Sequence, residues 1–209
     1  MNQERLAMPI GEAMFTQRAI RRLRPDPIPE ADLALILDAA VQAPSGGNTQ
    51  PTRFLVLTDR ERIREFGKLY HEAWWAKRRD NEGWTKPEDI PPGNSVSQSA
   101  KRLADEIGAA PCIVFVLGTR HGPANSVVPA AQNLMLAARA LGIGSVPTTL
   151  HPQVMDRFHA MFGIPDDVQF HFCIPLGYPR GKFGPTLRRP AAEVTHFNAW
   201  GTPVPWADA

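Results

Sequence analysis

Residues 123–142, PANSVVPAAQNLMLAARALG, read as one helix that is apolar around most of its circumference and leaves few charges for water. A helix of that kind is stable only where other elements cover it, so it must be central to whatever the chain builds. The 209 residues available suffice for one compact core and are short for two, which predicts a single domain over 1–209.

The covering elements follow from periodicity. Pro27 and Pro29 precede EADLALILDAAVQA, where Leu33, Ile36, Leu37, Ala40 and Val41 make the i, i+3, i+4, i+7, i+8 face of a helix that stops by Pro44. RFLVLTD, 53–59, is a short buried strand, and RERIREFGKLYHEAWWAKRRD, 60–80, a second helix with charge on its outer side. Residues 80–99 are rich in Pro, Gly, Asn and Ser, and the stretch 71–99, which holds Trp74, Trp75 and Trp84, is expected to be a lid-like excursion, with simple packing on a subunit surface as the alternative. AKRLADEIGAA gives a further helix, PCIVFVLG a buried strand, IGSVPTTL a short strand leaving into a turn, PQVMDRFHAMFG a helix closed by Gly163, and VQFHFCIPLGYP the last strand. Helices among about four strands make an α+β arrangement and not the steady alternation of a doubly wound sheet. The extension over about 179–209 has no sustained period, yet Phe183, Phe197, Trp200 and Trp206 need cover; it is expected to pack along another surface, such as that of a second subunit.

Charge and motif content exclude several functions. Lysine and arginine number 23 against 21 acidic residues, a formal net charge of +2, so any anion site must be a local cluster, and no nucleic-acid partner is expected. No run of about 18 apolar residues and no leader pattern occurs, which predicts no membrane association and a cytoplasmic location. Cys112 and Cys173 lie in apolar runs as small hydrophobes, without a structural disulfide. The six histidines lack ligand spacing, which predicts no metal, and His71, His121, His151, His159, His171 and His196 read as structural or solvated. With no G-x-G-x-x-G, P-loop or G-x-S-x-G, and no evident acid, base or nucleophile, the chemistry is expected to reside in a cofactor.

Four stretches could hold one, and each also has an ordinary reading. In TQRAIRRLRPDP, Arg18, Arg21 and Arg22 would share one face if helical and converge on an anion, or form a solvated basic face. QAPSGGNTQP, 42–51, exposes main chain at Ser45, Gly46 and Gly47 and amides at Asn48 and Gln50, suited to a flat heterocycle or to a plain turn. Pro147, Thr148, Thr149 and Leu150 leave a strand with free amides, or form an ST-turn. LRRP, 187–190, adds an arginine pair that is uninformative alone.

Together, QRAIRRLRPDPIP, APSGGNTQP, ALGIGSVPTTL and LGYPRGKFGPTLRRP resemble, in order and spacing, the nitroreductase family of FMN-dependent oxidoreductases over about 15–200. The resemblance implies a three-layer α+β fold with a central mixed, mostly antiparallel sheet flanked by helices, and an intertwined homodimer that holds FMN at its interface, the C-terminal extension wrapping the partner. It implies NADH or NADPH as electron donor and a small-molecule acceptor such as a nitroaromatic or quinone, in ping-pong order. By motif, Arg18 and Ala19 would lie by the FMN phosphate and ribityl chain and Arg21, or Arg22 one register on, by the N1/C2 side of the ring. Pro44, Ser45, Gly46 and Asn48, from the other subunit, would contact the ring; Pro147, Thr148, Thr149 and Leu150 would line its opposite face with a main-chain N–H near N5; Arg188 or Arg189 would complete the phosphate site. Many members carry serine where Ala19 stands, an aromatic where Thr52 stands and an acidic residue near Thr149, so acceptor preference is not inherited. A flavin-consuming, dehalogenating or enone-reducing member, or a catalytically silent flavin binder, is the rival reading.

Overall fold

Strand β2 (Cys112–Thr119) divides its side chains between two cores, and the rest of the molecule follows from that alternation. Ile113, Phe115 and Leu117 enter one buried cluster, while Cys112, Val114 and Val116 enter the other, as the period-two geometry of a strand requires. The computed structural model describes residues 3–119 and 124–206. On either side of β2 lie β1 (Thr52–Leu57) and β4 (Val168–Gly177), and β4 also pairs with the two-residue β3 (Gly144–Ser145), giving the order β1-β2-β4-β3. All three strand pairs are antiparallel; the parallel element is an isolated bridge between Ala19 and Ser145.

One face of the sheet is covered by α2 (Glu30–Ala40) and α5 (Ala124–Ala140), the other by α3 (Arg60–Glu82), α4 (Ser95–Glu106) and α6 (Met155–Phe162). Helix α5 buries Val127, Ala131, Leu134 and Ala138 against the sheet and α2, the central position that its composition demands. In α2, Leu33, Ile36 and Ala40 are buried as their spacing predicts, but the helix ends at Ala40, so Val41 turns outward. A short α1 (Ile10–Thr16) leans on α5, where the buried Arg139 donates to Thr16 Oγ1 at 2.9 Å. On the opposite face, Phe66, Phe115, Phe158 and Phe162 pack edge-on or tilted at centroid separations of 4.8–6.2 Å.

Two stretches are more ordered within the chain than their composition suggests. The stretch 71–99 is mostly helical: Asp59 caps α3 by accepting from the amides of Glu61 and Arg62, and the helix continues through 71–82 until Gly83 takes φ 74°. Only 83–94 connects it to α4, while Trp74 is buried in the core and Trp75 and Trp84 pack against it. Second, the tail begins on its own chain: Phe183 lies 4.2 Å below the Arg139 guanidinium, and Val204 is buried, while Leu187 and Trp200 are exposed. His121 lies outside the described residues.

Candidate functional site

The arginine-rich segment does not form the helix that would set residues 18, 21 and 22 on one face. Pro25, Pro27 and Pro29 fix the backbone and remove donors, and the edge of β3 offers main-chain partners instead. Residues 17–29 therefore run as an extended strap: Ile20 N donates to Ser145 O at 2.9 Å, Arg24 N to Tyr178 O at 2.8 Å, and Arg180 N to Arg22 O at 3.0 Å. Ile20 lies over Gly144, where a Cβ would stand 2.7 Å from Ile20 Cγ2. Residues two apart in an extended chain share a side. Leu23 packs on the α3 cluster, and Arg21 lies close enough to the Tyr70 phenol and to Arg18 for each to perturb its charge.

Burial is the main cause that lowers the Arg21 pKa, with Arg18 adding to it and Tyr70 opposing it. Arginine starts so high that it stays a cation. Among the described residues no carboxylate stands within salt-bridge distance of Arg18 or Arg21, whereas Arg22 turns to Glu106 at 3.8 Å and Arg24 to Asp26 at 3.6 Å. Two neighbouring guanidinium groups, one of them half-buried and neither neutralised, fit a place where an anion binds.

Beside them runs the exit of β3. Thr148 N donates to Cys173 O at 3.0 Å and Thr148 O accepts from Cys173 N at 2.8 Å, so its amide is not free, contrary to the expectation for this segment as a whole. Among the described residues neither the Thr149 nor the Leu150 amide has such a partner, and since Leu150 is buried, Thr149 presents the exposed open donor. Side chains from α3 reach the same segment: the Tyr70 hydroxyl stands 2.7 Å from Thr148 Oγ1, and Lys77 Nζ donates to Thr149 Oγ1 at 3.2 Å. Pro147 and Thr149 are exposed and Leu150 is buried. His151 caps the turn that follows and stands 3.0 Å from Asp80.

The loop Pro44–Gln50 takes left-handed backbone at Gly47 (φ 58°), Asn48 (φ 53°) and Gln50 (φ 48°). Its groups are less bare than its sequence: Gly46 N donates to Ser126 Oγ at 3.1 Å, Gln50 N to Ser45 Oγ at 2.9 Å, and Gln50 Nε2 to Asn48 Oδ1 at 3.2 Å. A cavity of about 370 Å³ opens beneath it, lined by Val41, Ser45, Thr49, Gln50, Arg53 and Ser126. This loop is remote from the strap. Thr52 is level with Gln169 through Gly118, whereas Ser145 is level with Leu176, three strands away. At about 3.4 Å per residue and about 4.8 Å per strand step, the two corners are roughly 25–30 Å apart. Within one chain a single ring cannot touch both.

The structure thus gathers Arg18, Ala19, Arg21, Thr148 and Thr149 at one corner and places Pro44, Ser45, Gly46 and Asn48 at the opposite one. Arg188 and Arg189 are exposed on the tail, and Arg188 donates to Leu187 O at 2.8 Å. Tyr70 and Lys77 escaped the sequence reading. Tyr70 sits at a core position of α3, and the only signal there was a hydroxyl among apolar residues whose partner lies 78 positions away.

Known proteins with the same organisation give this corner its context. The chain is 30% identical over 172 residues to a putative NADH dehydrogenase/NAD(P)H nitroreductase of Archaeoglobus fulgidus, covering 81% of this chain and 84% of the relative. It is 32% identical over 182 residues to the 5,6-dimethylbenzimidazole synthase of Rhodospirillum rubrum, covering 81% and 82%. A point mutant of the FMN and NADPH-dependent nitroreductase NfnB, from Sphigopyxis sp. strain HMH, superposes with a TM-score of 0.71 over 92% of this chain and 100% of that one, at 23% identity, which establishes the shared fold. The model of the Nitroreductase family matches residues 15–178, from the head of the strap to the end of β4 and so across every element that builds this corner; the chain belongs to the nitroreductase family.

Proposed function

We propose that the protein is an FMN-dependent oxidoreductase that works as a homodimer, taking reducing equivalents from NADH or NADPH and delivering them to an electron-poor small molecule such as a nitroaromatic or quinone in ping-pong order. The observation that carries this reading is the half-buried, carboxylate-free Arg21 beside Arg18 and the open Thr149 amide. Bound FMN would supply hydride chemistry at its N5 atom. In this reading Arg18 and the neighbouring Ala19 main chain hold the phosphate end, with Arg188 or Arg189 added when the tail meets a partner. Arg21 sets a fixed positive charge where negative charge develops on reduction, and Thr149 N donates to the reacting edge. Ile20 and Ser145 hold these donors in place, so they need no rearrangement when charge appears. The separation of the two corners supports the dimer: Pro44, Ser45, Gly46 and Asn48 can serve a ring held by Arg21 only if they come from a second copy. The Trp-bearing end of α3 reaches the site through Tyr70 and Lys77 and walls the side where an acceptor would enter.

The absorbance spectrum of the purified protein, followed by anaerobic titration with NADH and with NADPH, tests the proposal. A flavin spectrum bleached by either donor supports it, and colourless protein that takes up no FMN ends it. Arg21→Ala should slow flavin reduction about 10- to 100-fold, the loss of one charge-assisted interaction of about 1.5–3 kcal/mol. Similarity to a 5,6-dimethylbenzimidazole synthase favours a second reading, a member with a narrower reaction on the same site. Donor oxidation that no nitroaromatic or quinone accelerates would select it.

A further inference from the structure

Tyr70 is almost fully buried in the aromatic cluster of α3, with Phe66 6.1 Å away, yet its hydroxyl is spent on one group, Thr148 Oγ1 at 2.7 Å. Thr148 has already committed its amide and carbonyl to Cys173. Two hydroxyls that share one hydrogen bond use one proton and leave the other. A phenol, with an ordinary pKa of about 10, is the stronger donor of the two, and burial raises the Tyr70 pKa further, so its proton stays on. The phenol therefore donates to Thr148, whose own hydroxyl proton must point elsewhere. Thr148 is only half-buried and precedes the open Thr149 amide in the chain, and Arg21 acts on the same phenol from the strap.

We infer that Tyr70 is a positioning residue: its hydrogen bond turns the Thr148 hydroxyl into an outward donor that, with Arg21 and the Thr149 amide, completes a row of three donors facing the ligand atoms that gain negative charge. This inference rests on the proposed flavin site and adds a side-chain network, running from the core of α3 to the ligand edge, that tunes the bound flavin. A phenol that served packing alone would influence stability and leave the ligand's electronic balance untouched.

The test measures FMN affinity by fluorescence quenching and the two-electron reduction potential against an indicator dye, for wild type, Tyr70→Phe, Thr148→Val, the double variant and Thr148→Ser. Tyr70→Phe and Thr148→Val should each weaken the holding of reduced relative to oxidised FMN about tenfold, a drop of about 30 mV in potential. The double variant should fall no further than either single one, because both break the same link. Thr148→Ser keeps the hydroxyl and should stay near wild type. FMN-loaded Tyr70→Phe at the wild-type potential overturns the inference, as does a double variant whose shift is the sum of the two. If Tyr70→Phe does not fold, Thr148→Val decides alone, and an unchanged potential in it is equally fatal. Failure of the functional reading is visible earlier and separately, as wild-type protein that binds no FMN.

Discussion

Gly144→Ala tests whether the strap positions the site. A Cβ at residue 144 would lie 2.7 Å from Ile20 Cγ2, 2.8 Å from Ile20 Cβ and 3.2 Å from Ile20 Cγ1. Carbon atoms pack at about 3.5–4.0 Å, so relief requires Ile20 to retreat by roughly 1 Å. Ile20 is 7% exposed and its amide is bonded to Ser145 O, so the side chain cannot rotate into open space and the strap itself must lift. Overpacking of this kind costs about 1–3 kcal/mol. Arg18 and Arg21 flank Ile20 in the chain and move with it. Misplacing one charged hydrogen bond of about 1.5–3 kcal/mol should raise the FMN dissociation constant roughly 10- to 100-fold. Urea denaturation of the ligand-free protein reads the first effect and fluorescence titration with FMN reads the second. Ile36→Val, a fully buried position on the other face of the sheet, is the matched control; it should lose about 0.5–1.5 kcal/mol of stability with FMN affinity unchanged. If Gly144→Ala is destabilised as expected and binds FMN as the control does, the strap arginines do not hold the ligand. If it loses no stability, the Ile20 contact is not the close one described.

Three further outcomes are expected. Mixing an Arg21→Ala chain with a chain carrying Gly46→Trp in the loop should raise donor oxidation well above the level of either variant alone, because one of the two sites in a mixed dimer has both contributions intact; no such gain in a demonstrated mixed dimer would remove the two-chain site. His171 occupies the extra residue of β4 between the pairs Val116↔Phe172 and Leu117↔Phe170, lies against Gly118, and has a buried Nε2 with no hydrogen-bond partner among the described residues. Burial lowers its pKa, so the unfolded chain takes up the proton first: the neutral ring's contribution is intact above the unfolded value of about 6.5 and is lost as pH falls from there toward the folded value. Urea midpoints should fall from pH 7.5 to 5.5 by more in wild type than in His171→Leu. Both cysteines are inaccessible, with burial pushing the Cys112 thiol up to about 12 and Cys173 higher than its ordinary value, so iodoacetamide should label neither at pH 8 until denaturant is added.

Much of the fold was legible because it rests on local rules. The periodicities of α2 and α5 placed their buried faces, and Gly163, with φ 63°, closed α6 as its position implied. The helix read over 60–80 runs on to Glu82 under the Asp59 cap and the packing of Trp74, so within 71–99 only 83–94 is a connection, where Pro91, Pro92, Gly93 and Asn94 break the pattern. The strap departs from its local pattern. Its helical spacing of arginines was real, but three prolines and an open strand edge outweighed it.

By itself the sequence settled the α+β class, the central place of α5 and, through four ordered motifs, the family, since each depends on residues near one another in the chain. Only the tertiary structure decided that Arg21 and not Arg22 stands beside the strand exit, that Thr149 rather than Thr148 keeps an open amide, and that Tyr70 holds Thr148 from 78 residues away. It also set the loop at 44–50 diagonally across the sheet from the arginines it resembles a partner for. The physical reason is the same in each case: hydrogen bonds and charges act over a few ångströms, and which groups come that close is fixed by sheet order and register, which no local pattern records.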